Sequence, residues 1–222
     1  MSKIIEVFSD LIFPRDDREK KAEELISQIA KLKREEKDRD FIYPCPAYSF
    51  FNYRTQCVRD MIWRLKYRGD LNVAKIFAEK MYDELCEELT ELDQIANFRE
   101  PLLIPIPVSK KKLRMRGFNQ SAAICKALVA IDDNRFFKYC PNVLYKIKDT
   151  SSQARVKDKR ERLKHLKDSF AVKDMMSSKI DLCDRNVILL DDVLTTGSTF
   201  VEATRVLKNA GAKQIIWIVV AH

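Results

Sequence analysis

Glycine, histidine and paired cysteine are all scarce. Four glycines and two histidines occur in 222 residues, and the six cysteines (Cys45, Cys57, Cys86, Cys125, Cys140 and Cys183) include no Cys-x-x-Cys pair. A structural zinc site needs closely spaced Cys or His ligands, and disulfide frameworks belong to short secreted chains. No zinc site is therefore expected, and the thiols read as buried or idle. Neither a Gly-x-x-x-x-Gly-Lys loop nor a Gly-x-Gly-x-x-Gly turn is present, which excludes a P-loop or a dinucleotide fingerprint. Long hydrophobic runs are missing too. The apolar run at 215–221 is far too short to span a bilayer, and the opening MSKIIEVFSDLIFP has one lysine and a broken apolar stretch, unlike a signal peptide. A soluble, cytoplasmic protein with no membrane insertion is the expectation.

Positive charge is plentiful and uneven. The formal net charge is +8; residues 110–116 (KKKLRMR) carry five positive charges, and 146–167 carry nine Lys/Arg against Asp149, Asp158 and Glu161. With these two segments at +11, the rest of the chain stands at −3, and residues 79–100 are acidic. Such clusters suit phosphate or nucleic acid, and equally suit solvated loop or helix faces.

A hydrophobic content of 46% supports a real core. Residues 16–40 repeat apolar side chains at Ala22, Leu25, Ile26, Ile29 and Leu32, a charged amphipathic helix. The aromatic, proline-interrupted stretch 41–53 reads as strand or loop. Two helices follow, 57–67 and 71–92, separated by the turn Arg68-Gly69-Asp70, then a short strand at 102–108 ended by prolines. A helix over 119–130 has Asn119 as its cap, 187–190 is a buried parallel-type strand, and Thr199-x-x-Glu202 forms a capping box opening a helix to Ala210, stopped by Gly211. The last strand is 215–220. Strands alternating with helices predict an α/β fold, a mostly parallel twisted sheet flanked by helices.

Residues 187–199 read VILLDDVLTTGST. In an open α/β sheet, ligands sit at the carboxyl ends of strands. There Asp191 and Asp192 would accept ribose hydroxyls or face Mg²⁺-bound water. Thr195, Thr196, Ser198 and Thr199, with Gly197 allowing close backbone approach, would bind a phosphate at a helix N-terminus. A capped helix alone needs only Thr199 and Glu202 and leaves the paired carboxylates unexplained. An ATPase strand of ILLDD type would need the missing P-loop.

LLDDVLTTGST resembles the ribose-5-phosphate loop of type I phosphoribosyltransferases, and 104–121 (IPIPVSKKKLRMRGFNQS) resembles the ComF family's Pro-x-Pro strand end, basic run and Arg-Gly-Phe-Asn-Gln. Thr150-x-x-Gln153, Glu161-Arg162 and Phe170 match a further family segment with one inserted residue, and Trp63-Arg-Leu-Lys-Tyr-Arg-Gly-Asp70 matches its Leu-Lys-Tyr/Phe-x-Gly-Asp. The resemblance runs from Tyr53 to the C-terminus. It implies the type I phosphoribosyltransferase fold over 53–222, with 1–52 as an N-terminal helical hood region.

It also implies 5-phosphoribosyl 1-pyrophosphate as ligand and Mg²⁺ as cofactor, the metal held mainly by ligand and water. The pyrophosphate would lie at Val108, Ser109 and Lys110 with Lys111, Lys112, Arg114 and Arg116 nearby. A flexible loop carrying Thr150, Gln153 and Arg162 would close over the substrate. The chemistry implied is transfer of phosphoribose to an amine or nucleobase through an oxocarbenium-like transition state. His165 stands where the family usually has Asn, and an exposed helix histidine is the simpler reading than a general acid.

The charged helix replaces the zinc ribbon with which many ComF-like proteins begin, so zinc is not carried over. Acceptor recognition is expected from residues 1–100, with Tyr43, Tyr48, Phe50, Phe51 and Tyr53 as stacking candidates, though core packing suits most of them better. The alternative function is a competence or DNA-uptake accessory that binds single-stranded DNA or competence proteins, the ligand site sensing rather than catalysing. A regulator binding the ligand without turnover is a third reading. A homodimer is compatible with the sequence.

Overall fold

The computed structural model describes Glu24, Ser27, Gln28 and residues 45–133, 135–148, 168–173 and 181–222. Most of the expected charged helix 16–40 lies outside the described residues; its three described positions are helical and exposed. In chain order the elements are β1 (Ala47–Phe51), α1 (Gln56–Arg68), α2 (Leu71–Ala96), β2 (Leu102–Pro105), α3 (Lys110–Arg116) and α4 (Gln120–Asp132). Then come β3 (Lys138–Tyr139), β4 (Leu144–Lys146), β5 (Phe170–Val172), β6 (Val187–Val193), α5 (Ser198–Asn209) and β7 (Ile215–Ala221).

Five strands form one sheet in the order β1-β7-β6-β2-β3, and every neighbouring pair is parallel. Parallel strands covered on both faces read as continuous apolar runs rather than alternations. That is why Val187, Ile188, Leu189 and Leu190 are all buried, and why all seven residues of β7 are. Alternate side chains then serve opposite layers. Ile188, Leu190, Ile216 and Ile218 pack with Met61, Phe77, Leu85 and Leu128 from α1, α2 and α4. Leu189, Trp217 and Val219 pack with Phe200 and Leu207 of α5 and Phe170 of β5. Trp217 stacks on Phe200 at 4.9 Å between centroids and donates its indole N–H to Thr204 Oγ1 at 2.9 Å, so a fully buried ring keeps its polar edge satisfied.

The strand β2 feeds α4 on one layer, whereas its neighbour β6 feeds α5 on the other. Chain directions thus part at the carboxyl ends of β2 and β6, which opens the crevice where such sheets bind ligands. Asn119 caps α4 as expected: its Oδ1 accepts from the Ser121 N–H at 3.1 Å, and its Nδ2 donates to the Ile106 carbonyl at 3.0 Å, pinning the helix start to the end of β2. Asp70 likewise caps α2 and pairs with Arg64 at 2.8 Å after Gly69 ends α1 in the left-handed region, φ 65°.

Several expectations are corrected. The strand at 187–190 runs on to Val193, so Asp191 and Asp192 belong to it. The capping box does not form. Gly197 (φ 70°) is the N-cap of α5, Ser198 opens the helix, and no side chain caps it. Glu202 instead accepts the Asp168 backbone N–H at 2.7 Å and binds Arg205. Within 1–52, β1 is an edge strand of the main sheet paired with β7, and Tyr48, Phe50 and Phe51 are buried core, the use that suited most of the aromatic candidates better. Of the aromatic candidates Tyr53 is exposed, and Tyr43 lies outside the described residues. The basic run after β2 is a seven-residue helix, and β4 with β5 makes an antiparallel ribbon at the base of 149–167 that the sequence did not announce. Cys45, Cys57, Cys125 and Cys140 are buried, and all six thiols are free.

Candidate ligand site at the carboxyl edge of the sheet

The acidic pair is built at the end of β6. Asp192 is 4% exposed and Asp191 is partly open. Asp191 Oδ1 accepts the Ser121 hydroxyl at 2.7 Å and the Asp192 backbone N–H at 2.9 Å. Asp192 Oδ2 lies 3.0 Å from Lys66 Nζ, which reaches over from α1. The two carboxylates therefore have different supports: a hydroxyl and an amide for one, an ammonium for the other. Burial, and then the charge of Asp192, push the Asp191 carboxyl up to about 7, while Ser121, the Asp192 amide and Lys66 pull against the rise. Burial works against the Lys66 ammonium, but Asp192, helped by Asp191 and Tyr53, outweighs it and holds that pKa above its usual value. Cys125, buried beneath Asp191, is held well above the usual thiol range by burial and by that charge.

Beyond the pair, Thr195 is exposed and Thr196 and Thr199 half-buried, while Gly197 and Ser198 are buried. Thr196 Oγ1 and Ser198 Oγ are 2.9 Å apart. The first backbone N–H groups of any helix lack partners within it. With no side-chain cap on α5, these amides are left to face an anion, aided by the helix dipole.

Across the crevice, Val108 is half-buried and Ser109 buried. Ser109 caps α3 by accepting the Lys112 N–H at 3.3 Å. Lys110 and Arg114 are exposed, but Arg116 is already engaged: its guanidinium lies 5.1 Å over the Tyr67 ring and donates to Gln120 Oε1 at 3.0 Å. The structure thus assembles Ser109, Asp191, Asp192 and the 195–199 loop on one edge and turns Arg116 toward α1. Thr150, Gln153, Arg162 and His165 lie outside the described residues. Lys66 and Ser121 are site residues to which the sequence reading gave no role; the Leu-Lys-Tyr segment around Lys66 was the one available signal. Next to it, Trp63 and Tyr67 are 49% and 54% exposed and 5.7 Å apart, with Arg68 5.2 Å over Trp63.

Among the described residues no group of three or more His, Cys, Asp or Glu could hold a metal ion. The donor set fits a cation carried by a ligand's phosphates and met through water, and does not fit a cage of protein ligands. No helix of the described residues is long and apolar enough to cross a membrane.

The phosphoribosyl transferase domain family matches residues 137–222, which include the acidic pair and the 195–199 loop. Those residues lie within a mostly parallel α/β sheet flanked by helices. Competence protein ComFC of Streptococcus pneumoniae is 27% identical over 75% of this chain and 64% of its own, and competence protein F of Haemophilus influenzae is 31% identical over 52% and 48%. A DNA utilization protein of Escherichia coli, YhgH, is 27% identical over 52% and 47%. The chain spans about half to two thirds of the length of these curated relatives. A hypoxanthine phosphoribosyltransferase from Trypanosoma cruzi matches at 11% identity over 65% of this chain and 67% of its own, with a TM-score of 0.36, a likeness on which nothing here rests.

Proposed function

We propose that the protein is a Mg²⁺-dependent phosphoribosyltransferase that binds 5-phosphoribosyl 1-pyrophosphate in the crevice between β2 and β6. The observation that carries this reading is the uncapped N-terminus of α5, opened by Gly197, directly beyond two adjacent carboxylates on β6. Anion donors and hydroxyl acceptors thus stand a few residues apart, as a sugar phosphate requires. Asp191 and Asp192 accept the ribose hydroxyls, and the backbone and hydroxyls of Thr195, Thr196, Gly197, Ser198 and Thr199 hold the 5-phosphate. Val108, Ser109, Lys110 and Arg114 take the pyrophosphate. Mg²⁺ supplies neutralisation of the leaving pyrophosphate. The residues themselves orient the anomeric carbon toward an amine or nucleobase and place charge around an oxocarbenium-like transition state.

Calorimetric titration with 5-phosphoribosyl 1-pyrophosphate and Mg²⁺ tests this. Saturable binding by the wild type, lost in Asp191→Asn/Asp192→Asn, is expected. No heat from folded wild type would end the reading.

A second reading has its own observation. Trp63 and Tyr67 are exposed rings, each with a half-buried arginine, Arg68 or Arg116, over it. Such a ladder suits stacking of single-stranded nucleic acid bases. It fits a DNA-uptake role in which the phosphoribosyl site senses rather than turns over.

A further inference from the structure

Within the Trp63-to-Asp70 segment, Lys66 points at the acidic pair. Lys66 Nζ stands 3.0 Å from Asp192 Oδ2, with side-chain exposures of 20% and 6%. An ammonium so placed gives Asp192 a fixed cationic partner before any ligand arrives. The other carboxylate is engaged as well, since Asp191 Oδ1 already accepts both the Ser121 hydroxyl and the Asp192 amide. A bare dication approaching the pair would meet an ammonium at one acid and two donors at the other. It would find no third His, Cys, Asp or Glu ligand among the described residues.

We propose that Lys66 is the resident counter-cation of the acidic pair. It positions Asp192 for a ligand hydroxyl and keeps a divalent cation from binding the pair directly, so that the metal enters only with the ligand's phosphates. The nature of the ligand rests on the phosphoribosyltransferase reading; the exclusion of free metal does not. Electrostatics supplies the reason. Two adjacent carboxylates repel each other and attract any cation, and a lysine built into α1 satisfies that demand without occupying the open side of the crevice. Arginine retains the charge, whereas methionine retains the stem and removes it.

The probe is Mn²⁺ alone, titrated into wild type, Lys66→Met, Lys66→Arg, Asp192→Asn and Lys66→Met/Asp192→Asn, with folding checked by circular dichroism. Wild type and Lys66→Arg are expected to bind no Mn²⁺ saturably up to low millimolar concentration. Lys66→Met is expected to gain a site at least about tenfold tighter, lost again in the double variant. Saturable Mn²⁺ binding by wild type that Asp192→Asn abolishes would overturn the proposal, as would a folded Lys66→Met that binds no better than wild type. Lys66→Gln repeats the comparison should the methionine variant fail to fold. A separate titration of wild type with 5-phosphoribosyl 1-pyrophosphate and Mg²⁺ bears on the ligand assignment, and its failure overturns the proposed function alone.

Discussion

Asp191 is where the residue-scale chemistry concentrates. Its carboxyl, raised to about 7, binds a proton in the folded protein over a range where an unfolded carboxylate, near 3.8, has lost it. Stability contributed by that proton is complete below the unfolded value and is lost as pH rises through the folded one. The melting temperature of wild type relative to Asp191→Asn is therefore expected to fall between about pH 4 and about pH 7, checked by thermal unfolding across that range. Ligand affinity should move the opposite way, since hydroxyl acceptance favours the ionised acid. The acidic pair, Asn119 and Gly197 were legible in the sequence because their chemistry is local: adjacent charges, a cap, a residue free to take positive φ. Ser121 was not, because its partner Asp191 lies 70 positions away and only the sheet brings them together. Lys66 stayed hidden for the same reason, one lysine among many until α1 placed it at the pair.

Helix α5 joins the ligand loop to the rest of the molecule. Gly197 sits at φ 70° and ψ −3°, a conformation that costs other L-residues about 1 kcal/mol or more. Gly197→Ala is expected to lower unfolding free energy by about 1–2 kcal/mol in a denaturant titration and to weaken phosphate-ligand binding more than about tenfold. One turn on, Glu202 receives the Asp168 amide at 2.7 Å and Arg205 at 2.7 Å, fastening the residues just before β5 to this helix. Glu202→Ala should destabilise by about 1 kcal/mol, read by the same titration, because the Asp168 amide and the Arg205 guanidinium lose a shared acceptor that is itself buried. Thr199 and Glu202 have capping-box spacing, yet the glycine caps the helix two residues earlier and the glutamate finds a partner from another segment. Long apolar strands and amphipathic helices announced themselves by period. Strands as short as β3, two residues, and β4, three, carry too little pattern to be seen.

For the whole molecule the decisive quantity is its charge, +8 over 222 residues, set beside the exposed Trp63–Tyr67 ladder. If single-stranded DNA binds there, log affinity for a short oligonucleotide falls linearly with log salt. Trp63→Ala or Tyr67→Ala should then lose about 1–3 kcal/mol with the slope unchanged, as fluorescence anisotropy would report. A slope that changes with the aromatic substitutions would sink that placement. The sequence predicted a parallel α/β sheet, but strand order depends on which distant segments meet. That order has a temporal consequence. Strand β1 pairs with β7, some of the first described residues with nearly the last, and each fixes the other through Tyr53 N–H to His222 O and His222 N–H to Phe51 O. On the ribosome, residues 47–51 emerge long before 215–221 exist, so the edge strand stays unpaired while the intervening segments are made. Until β7 arrives to pair with it, that apolar segment is a natural client for a chaperone.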